Sequence, residues 1–157
     1  MIEIKEAIIV EGKYDKMRLK PFVNATIIET NGFRIFKDKA KVNLIKQLAE
    51  SKGILVLTDS DSAGFLIRNH LKGIVDNSLI KHAYIPQIAG KEKRKDVGSK
   101  EGTLGVEGMS EAVLTNALLQ AGVIIDQKTT VTKNLITKQD FFKLGLTGSP
   151  QSKLLRK

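Results

Sequence analysis

Three carboxylates of this chain stand directly after short apolar runs that predict buried β-strands. Glu11 follows AIIV, and Asp59 and Asp61 follow ILVLT with one residue between them. Ligands of open α/β sheets bind beyond the carboxyl ends of the strands, so these side chains converge if the two strands are neighbours. Side chains of an extended segment alternate between faces, so Asp59 and Asp61 can point the same way. Clustered carboxylates repel one another, and a hard cation such as Mg²⁺ relieves that repulsion.

A structural role is the alternative for the same acids. Acidic residues often cap helices, and Asp59 or Asp61 would then cap a helix over residues 62–74. An isolated Asp-x-Asp pair is a weak signal, whereas acids at the ends of two apolar strands in one α/β chain favour a shared site. Gly64 fits that site, because a residue without a Cβ lets the backbone and a ligand approach closely.

Apolar runs and helical patterns alternate along the chain and predict the fold class. The predicted strands are residues 7–10, 25–30, 54–58 and 82–86. The predicted helices are residues 13–20, 38–51, 62–74 and 111–121. This alternation predicts an α/β domain with a mainly parallel sheet of about four strands covered by helices. We expect the domain to span residues 1–122 and a small basic helical segment to follow over residues 123–157.

The positive charge of the chain is concentrated in two segments. Residues 91–100 hold five basic and two acidic residues, and residues 127–157 hold seven basic residues and one acidic residue, which together account for the net charge of +9. This distribution suits a polyanion such as nucleic acid, and a solubilising surface is the alternative. The candidate phosphate contacts of the internal segment are Lys91, Lys93, Arg94, Lys95 and Lys100.

Composition also excludes several classes of site and location. The chain has no cysteine, so disulfides and thiolate metal sites are excluded. No apolar run approaches the roughly 20 residues of a membrane span, and the first ten residues do not look like a signal peptide. We therefore expect a cytoplasmic protein without membrane contacts.

Two segments resemble the signature of the Toprim family. IIVEGKYD at residues 8–15 and LTDSDSAG at residues 57–64 match its pattern of a Glu after the first strand and an Asp-x-Asp after the third. The domain occurs in topoisomerases, bacterial primases and related nucleases. Ser60 is a departure, because the family often has proline between the two aspartates.

Further segments resemble the ribonuclease M5 family of bacterial 5S ribosomal RNA maturases, or an uncharacterised paralogue of it. These segments are IETNG, KHAYIP, LGVEGMS and the tail LITKQDFFKLGLTGSP, so the resemblance extends over most of the chain. Members of that family usually continue beyond the basic helix. The resemblance therefore implies that residues 123–157 bind RNA and form an incomplete version of the family's C-terminal region.

The resemblance implies roles for the three acids. Glu11 would act as a general acid or base or share a metal, and Asp59 and Asp61 would hold one or two Mg²⁺ ions, with Mn²⁺ as a substitute. The implied reaction is hydrolysis of phosphodiesters in structured RNA, such as a 5S ribosomal RNA precursor. A ribosomal protein that binds 5S RNA would be a further partner.

Other residues are candidates for the border of this site. Lys13 and Arg68 would contact phosphate, or a site carboxylate in the case of Arg68, and a solvated side chain is the alternative for each. Asn31-Gly32 would form a turn beside the acids, and a turn without a ligand role is the alternative. Glu107 lies between glycines in a Lys- and Gly-rich stretch longer than an ordinary connection, so it would join the site or remain an exposed loop acid.

Two other functions remain open on the sequence alone. The first is a Toprim nuclease that acts on DNA, related to primases or topoisomerases or active in repair. The second is a non-catalytic RNA-binding module of ribosome assembly. The complete set of Glu11, Asp59 and Asp61 favours an enzyme.

Overall fold

A computed structural model describes residues 1–92, 102–123, 138–144 and 147–148 of the chain. The strands are β1 (Ile2–Glu3), β2 (Ala7–Val10), β3 (Val23–Asn24), β4 (Ile27–Glu29), β5 (Ile54–Leu57) and β6 (Ile80–Ala83). The α-helices are α1 (Lys13–Leu19), α2 (Lys39–Lys52), α3 (Ser62–Ile74), α4 (Glu111–Gln120) and α5 (Lys138–Lys143). Short 3₁₀ helices cover Gly32–Phe36, Asn77–Leu79 and Val106–Gly108.

The main sheet has four parallel strands in the order β4-β2-β5-β6. Ile9 of β2 pairs with Ile28 of β4 on one side and with Val56 of β5 on the other. The two central strands are buried at every position, because helices cover both faces of the sheet. The predicted α/β class and its four-stranded parallel sheet are therefore confirmed.

Alternate residues of the central strands pack into two separate cores. Ile8 of β2 lies in the core that α1 and α4 cover, where it joins Leu19 and Leu114. Its neighbour Ile9 lies in the core that α2 and α3 cover. Burying each side chain of this size contributes about 1.5–3 kcal/mol, so both faces hold the helices against the sheet.

Sequence prediction was accurate for the central strands and less so at the edge. The predicted strand 82–86 begins two residues earlier, at Ile80, where β6 pairs with Ile54 of β5. Pro86 lies outside it, as expected of a residue without a backbone donor. The pair β1–β3 was missed, because each of its strands has only two residues and shows no periodicity.

The chain divides into two compact units, Met1–Ile125 and Asp126–Lys157. The predicted boundary between residues 122 and 123 stays a prediction. Helix α5 lies in the second unit, within the segment predicted to be basic and helical. Among the residues that the structure describes, no helix has the length and apolar character needed to cross a membrane.

Candidate active site

The carboxyl ends of the adjacent strands β2 and β5 bring Glu11 and Asp59 to one place. They share a cavity of about 200 Å³ with three further carboxylates. The residues that line it are Glu11, Gly12, Tyr14, Asp15, Asp59, Glu92 and Glu107. We call this the acidic cavity. The carboxylates were expected to converge if the first and third predicted strands were neighbours, and these strands, β2 and β5, do pair.

Asp59 is held by the backbone of the segment that precedes α4. The Val106 amide donates a 2.7 Å hydrogen bond to Asp59 Oδ1. A Cβ built on Gly105 would lie only 2.7 Å from Asp59 Cγ, so this position has no room for a side chain. Since Glu107 follows Val106 directly, the same contact brings Glu107 to the acidic cavity. Glu107 is therefore a partly buried residue of the acidic cavity, and its role as a ligand stays a prediction.

Glu92 is a member of the acidic cavity that sequence reasoning missed. Its side chain is only 3% exposed, and the Gly105 amide donates a 2.8 Å hydrogen bond to Glu92 Oε1. The successive amides of Gly105 and Val106 thus bind two carboxylates of one cavity. The place of Glu92 in the acidic cavity could not be read from the sequence, because Glu92 stands between Lys91 and Lys93 in a basic run.

The turn at Asn31-Gly32 borders Glu11, as predicted. Both residues have positive φ angles, 59° at Asn31 and 61° at Gly32, which Asn and Gly adopt more readily than other residues. The Gly32 amide and the Thr30 hydroxyl each donate a 3.2 Å hydrogen bond to the Glu11 carbonyl oxygen. A Cβ on Gly32 would lie 3.9 Å from Glu11 Oε1. The turn therefore lies directly beside the Glu11 carboxylate.

Asp15 is another acid that the sequence did not single out. It is buried in the first turn of α1, and its Oδ2 accepts a 2.9 Å hydrogen bond from the Gly12 amide. This bond fixes the start of α1 beside Glu11. Only the Toprim-like run IIVEGKYD, in which Asp15 is the last residue, pointed toward it.

Asp61 caps α3, which is the structural alternative considered for it. Its Oδ1 accepts a 2.8 Å hydrogen bond from the Gly64 amide, and it is not among the residues that line the acidic cavity. A Cβ on Gly64 would overlap the Asp59 carbonyl oxygen and lie 2.9 Å from Thr58 Oγ1. Gly64 thus allows α3 to pack closely against the strand end. A metal-ligand role for Asp61 stays a prediction.

The structure corrects the expectation for Arg68. Its side chain is buried, and among the described residues no carboxylate contacts its guanidinium. Its side chain is 2% exposed, and its guanidinium donates hydrogen bonds to the carbonyl oxygens of Val56, Thr58 and Ala83 at 3.1, 3.3 and 2.7 Å. It also lies 4.3 Å from the ring centre of Tyr84. Burial lowers the pKa of Arg68, and Tyr84 opposes that shift. Arg68 ties β5 to β6, because its fork of donors meets carbonyl oxygens at the ends of both strands.

Comparison with known proteins identifies the family. The Toprim domain family matches residues 6–88. Ribonuclease M5 of Lactiplantibacillus plantarum is 35% identical over 99% of this chain and 77% of that protein. Ribonuclease M5 of Bacillus subtilis is 32% identical over 99% of this chain and 76% of that protein.

The chain belongs to the ribonuclease M5 family of Toprim proteins. A solved small TOPRIM domain protein from Bacillus stearothermophilus has the same fold, with a TM-score of 0.55 and 22% identity over 78% of this chain and 90% of that one. The predicted resemblance and the predicted Toprim fold are both confirmed.

The acidic cavity of this Toprim protein has ligands that suit a hard cation. Its potential ligands are carboxylate oxygens, which Mg²⁺ and Mn²⁺ prefer over sulfur or nitrogen. Within the described part of the chain, no three acidic or histidine side chains approach closely enough to hold one ion together. Mg²⁺ commonly binds through one or two carboxylates and completes its shell with water and phosphate oxygens, so the residues present fit it.

The structure describes only some of the residues that were predicted to contact phosphate. Lys13 is exposed at the start of α1. Lys91 lines a larger cavity of about 560 Å³, together with Arg18 and Ser110. This second cavity adjoins the acidic one, because Glu92 and Glu107 line both. Lys93, Arg94, Lys95 and Lys100 lie outside the described residues.

Proposed function

We propose that this chain is a Mg²⁺-dependent endoribonuclease that hydrolyses phosphodiester bonds in structured RNA, such as a 5S ribosomal RNA precursor. The main support is the acidic cavity, in which Glu11 and Asp59 stand at the ends of adjacent strands among three further carboxylates. The names of the ribonuclease M5 relatives favour RNA over other substrates. The cytoplasm is the proposed location.

The concentration of carboxylates favours a cation as part of this reaction. A phosphodiester is an anion, and a cation beside Glu11 and Asp59 would reduce its electrostatic repulsion from the carboxylates. A bound Mg²⁺ supplies charge for the phosphate oxygens and lowers the pKa of a water molecule. The Val106 amide fixes Asp59, and Glu107 lines the same cavity, so both would offer carboxylate oxygens to the ion before the substrate arrives.

Glu11 is the candidate general acid or base. Its main-chain carbonyl oxygen accepts hydrogen bonds from the Gly32 amide and the Thr30 hydroxyl, which fixes the backbone from which Glu11 lines the acidic cavity. A carboxylate held in this way can take a proton from an attacking water or return one to the leaving oxygen. Asp61 would support the metal from the second position of the Asp-x-Asp pair, in addition to its role as the cap of α3.

Basic residues beside the acidic cavity would bind the flanking phosphates. Arg18 and Lys91 line the adjoining larger cavity, and Lys13 stands exposed on the helix that begins beside Glu11. Phosphate contacts of this kind give affinity and orientation without reading sequence. The choice of cleavage position would then depend on RNA shape and on a ribosomal protein that presents the 5S precursor.

Cleavage of an end-labelled 5S ribosomal RNA precursor tests the proposal. The assay is run with and without the 5S-binding ribosomal protein. We expect cuts at defined positions by the wild type with Mg²⁺, and no cuts with EDTA or by Asp59→Ala. A DNA duplex of the same sequence serves as the second substrate. Cleavage of DNA alone would show a DNA-directed Toprim nuclease, and RNA binding without any cleavage would show a non-catalytic module.

A further inference from the structure

Two aromatic side chains are exposed on the 3₁₀ helix Gly32–Phe36. Phe33 is 52% exposed and Phe36 is 42% exposed. Their rings are stacked, with centroids 5.5 Å apart and planes inclined by 16°. The His70 ring of α3 meets Phe36 edge-on at 4.7 Å and supports it from the side. The surface therefore offers an ordered pair of flat π systems to the solvent.

The helix that presents these rings is anchored without them. Ile35, between the two, is completely buried and lies in the core with Ile45 and Ile67. Because Ile35 fixes the helix against α2 and α3, the exposed faces of Phe33 and Phe36 are not needed to anchor it. Large apolar side chains that are exposed side by side usually have a binding role.

The position of the pair relates it to the acidic cavity. Phe33 directly follows Gly32, whose amide donates to the Glu11 carbonyl oxygen and whose built Cβ would lie 3.9 Å from Glu11 Oε1. Consecutive Cα atoms are about 3.8 Å apart. Phe33 therefore directly follows a residue that borders the Glu11 carboxylate of the candidate active site.

The positive charge of residues 31–37 favours an anionic partner. Arg34 and Lys37 are exposed beside Phe33 and Phe36, and residues 31–37 contain no acid. Aromatic rings next to cationic side chains are the usual combination for single-stranded nucleic acid, in which bases stack on the rings and phosphates meet the charges. A protein partner would need an acidic apolar surface, and nothing else on this face points to one.

We propose that Phe33 and Phe36, with Arg34 and Lys37, form a stacking subsite for an unpaired nucleobase next to the phosphodiester bond that is cut. This inference rests on the proposed nuclease function, because it places the subsite relative to the scissile bond. In a duplex, neighbouring bases cover both faces of each base, so only a bulged, looped or terminal nucleotide can reach the rings. The subsite would direct cleavage to positions beside such a nucleotide.

The absence of tryptophan from the chain allows a direct binding assay. We would introduce Phe33→Trp together with Asp59→Ala, so that the RNA stays intact, and record tryptophan fluorescence. The probes are an RNA hairpin with one bulged nucleotide and the same hairpin fully paired. Stacking should quench the emission with the bulged hairpin only. Leu44→Trp, at a residue 43% exposed on α2, is the matched control and should show no quenching.

Affinity measurements separate stacking from general apolar contact. Phe33→Leu with Phe36→Leu keeps an apolar surface but removes the rings, and we expect affinity for the bulged hairpin to fall about tenfold, within a range of about 5-fold to 100-fold. Affinity for the paired hairpin should not change. Phe33→Tyr keeps a ring and should retain binding, and the unchanged affinity of the double leucine variant for the paired hairpin excludes misfolding as the cause of its loss.

Several results would overturn this subsite. Equal affinity of the double leucine variant and the wild type for the bulged hairpin would do so. So would a wild-type dimer that this variant converts to a monomer with RNA affinity unchanged, since the face would then be a protein contact. Because both assays measure binding, a failure of the nuclease proposal would be seen separately, as absence of Mg²⁺-dependent cleavage.

Discussion

At the scale of single residues, the two aspartates of the Asp-x-Asp pair have different surroundings. Asp59 lines the acidic cavity and accepts a hydrogen bond from the Val106 amide, whereas Asp61 caps α3 through the Gly64 amide. The sequence could not separate these roles, because an aspartate after a strand suits both a cap and a ligand. The geometry shows the cap at Asp61 and the cavity position of Asp59.

Substitution of Asp61 should separate its cap from any role at the metal. Asp61→Asn keeps a good N-cap, so the free energy of unfolding should stay within about 0.5 kcal/mol of wild type, whereas Asp61→Ala should lose about 1 kcal/mol. If Asp61 also supports the metal, the asparagine variant needs more Mg²⁺ for half-maximal cleavage. Denaturant unfolding and a Mg²⁺ titration measure the two effects, and an unchanged Mg²⁺ requirement would leave only the cap.

Gly105 should be intolerant of any side chain. A Cβ there would lie 2.7 Å from Asp59 Cγ, so Gly105→Ala must displace the Asp59 carboxylate, and we expect cleavage to fall by a factor of about 10² because a small misplacement of a catalytic group has this effect. Gly73→Ala is the control, since a Cβ there meets nothing within 4 Å. Wild-type activity of Gly105→Ala would show that the observed position of Asp59 is unimportant.

The acids that sequence reasoning missed show where local patterns fail. Glu92 reaches the acidic cavity through a hydrogen bond from Gly105, thirteen residues away. Asp15 reaches it through the amide of Gly12, before α1 begins. The Glu92 contact depends on how a later segment folds back on the sheet, which neither charge counts nor periodicity describe. The Asp15 contact is a local helix cap, and its place beside Glu11 depends on where the preceding strand ends. Glu11 and Asp59 were predictable because each stands at the end of an apolar strand.

At the scale of secondary structure, apolar runs were sufficient to predict the central strands and their helices. They were insufficient for the contact between α3 and the strand ends. Arg68 looked like a site residue, yet its guanidinium binds carbonyl oxygens of Val56, Thr58 and Ala83. A buried arginine needs hydrogen-bond acceptors for its guanidinium, and carbonyl oxygens in and beside β5 and β6 supply them here. Periodicity alone does not distinguish such an arginine from an exposed one.

His82 should make the stability of this region depend on pH. Burial, followed by the charges of Arg68 and Lys72, lowers the pKa of His82, and its Nδ1 lies 3.2 Å from Arg68 Nη1. Between that lowered pKa and about 6.5, the unfolded chain binds a proton at His82 that the folded chain does not, so stability rises with pH in this window. The contribution is complete above about pH 6.5 and is lost as pH falls through the folded-state pKa.

Denaturant unfolding at a series of pH values measures this contribution. We expect His82→Gln to lose less stability than wild type between about pH 7 and pH 5, because glutamine does not titrate. Its amide oxygen can still accept a hydrogen bond from Arg68. Parallel pH profiles for the two proteins would show that His82 does not contribute to the pH dependence.

At the scale of the whole molecule, the chain combines an acidic cavity with two segments of net positive charge. Five carboxylates line the cavity, while the net charge of +9 comes from residues 91–100 and 127–157. This combination suits a protein that binds a polyanion through cationic segments and processes it at an acidic centre with the help of a cation. Sequence alone could establish the positive segments, because net charge does not depend on the fold, but it could not show that Glu92 of the first segment lines the acidic cavity.

The salt dependence of RNA affinity should show whether the cationic segment at residues 91–100 contacts phosphates. Replacement of Lys93, Arg94 and Lys95 by glutamine should reduce the slope of log K against log salt by about 0.7–0.9 for each phosphate that the variant no longer neutralises. The control replaces Lys5, Lys20 and Lys46, three exposed lysines of the α/β unit, and removes the same charge. Equal slopes for the two triple variants would show that net charge, and not this segment, determines binding.

Single-turnover cleavage by Asp59→Asn tests most directly whether the acidic cavity is the catalytic centre. The substitution keeps the shape of the side chain, and Asp76→Asn is the matched control, because Asp76 is fully exposed and caps the 3₁₀ helix that precedes β6. With saturating protein and Mg²⁺, we expect Asp59→Asn to cut RNA at least about 10²-fold more slowly, with unchanged RNA affinity and a wild-type rate for Asp76→Asn. Cleavage by Asp59→Asn at the wild-type rate would contradict the assignment of this cavity as the active site.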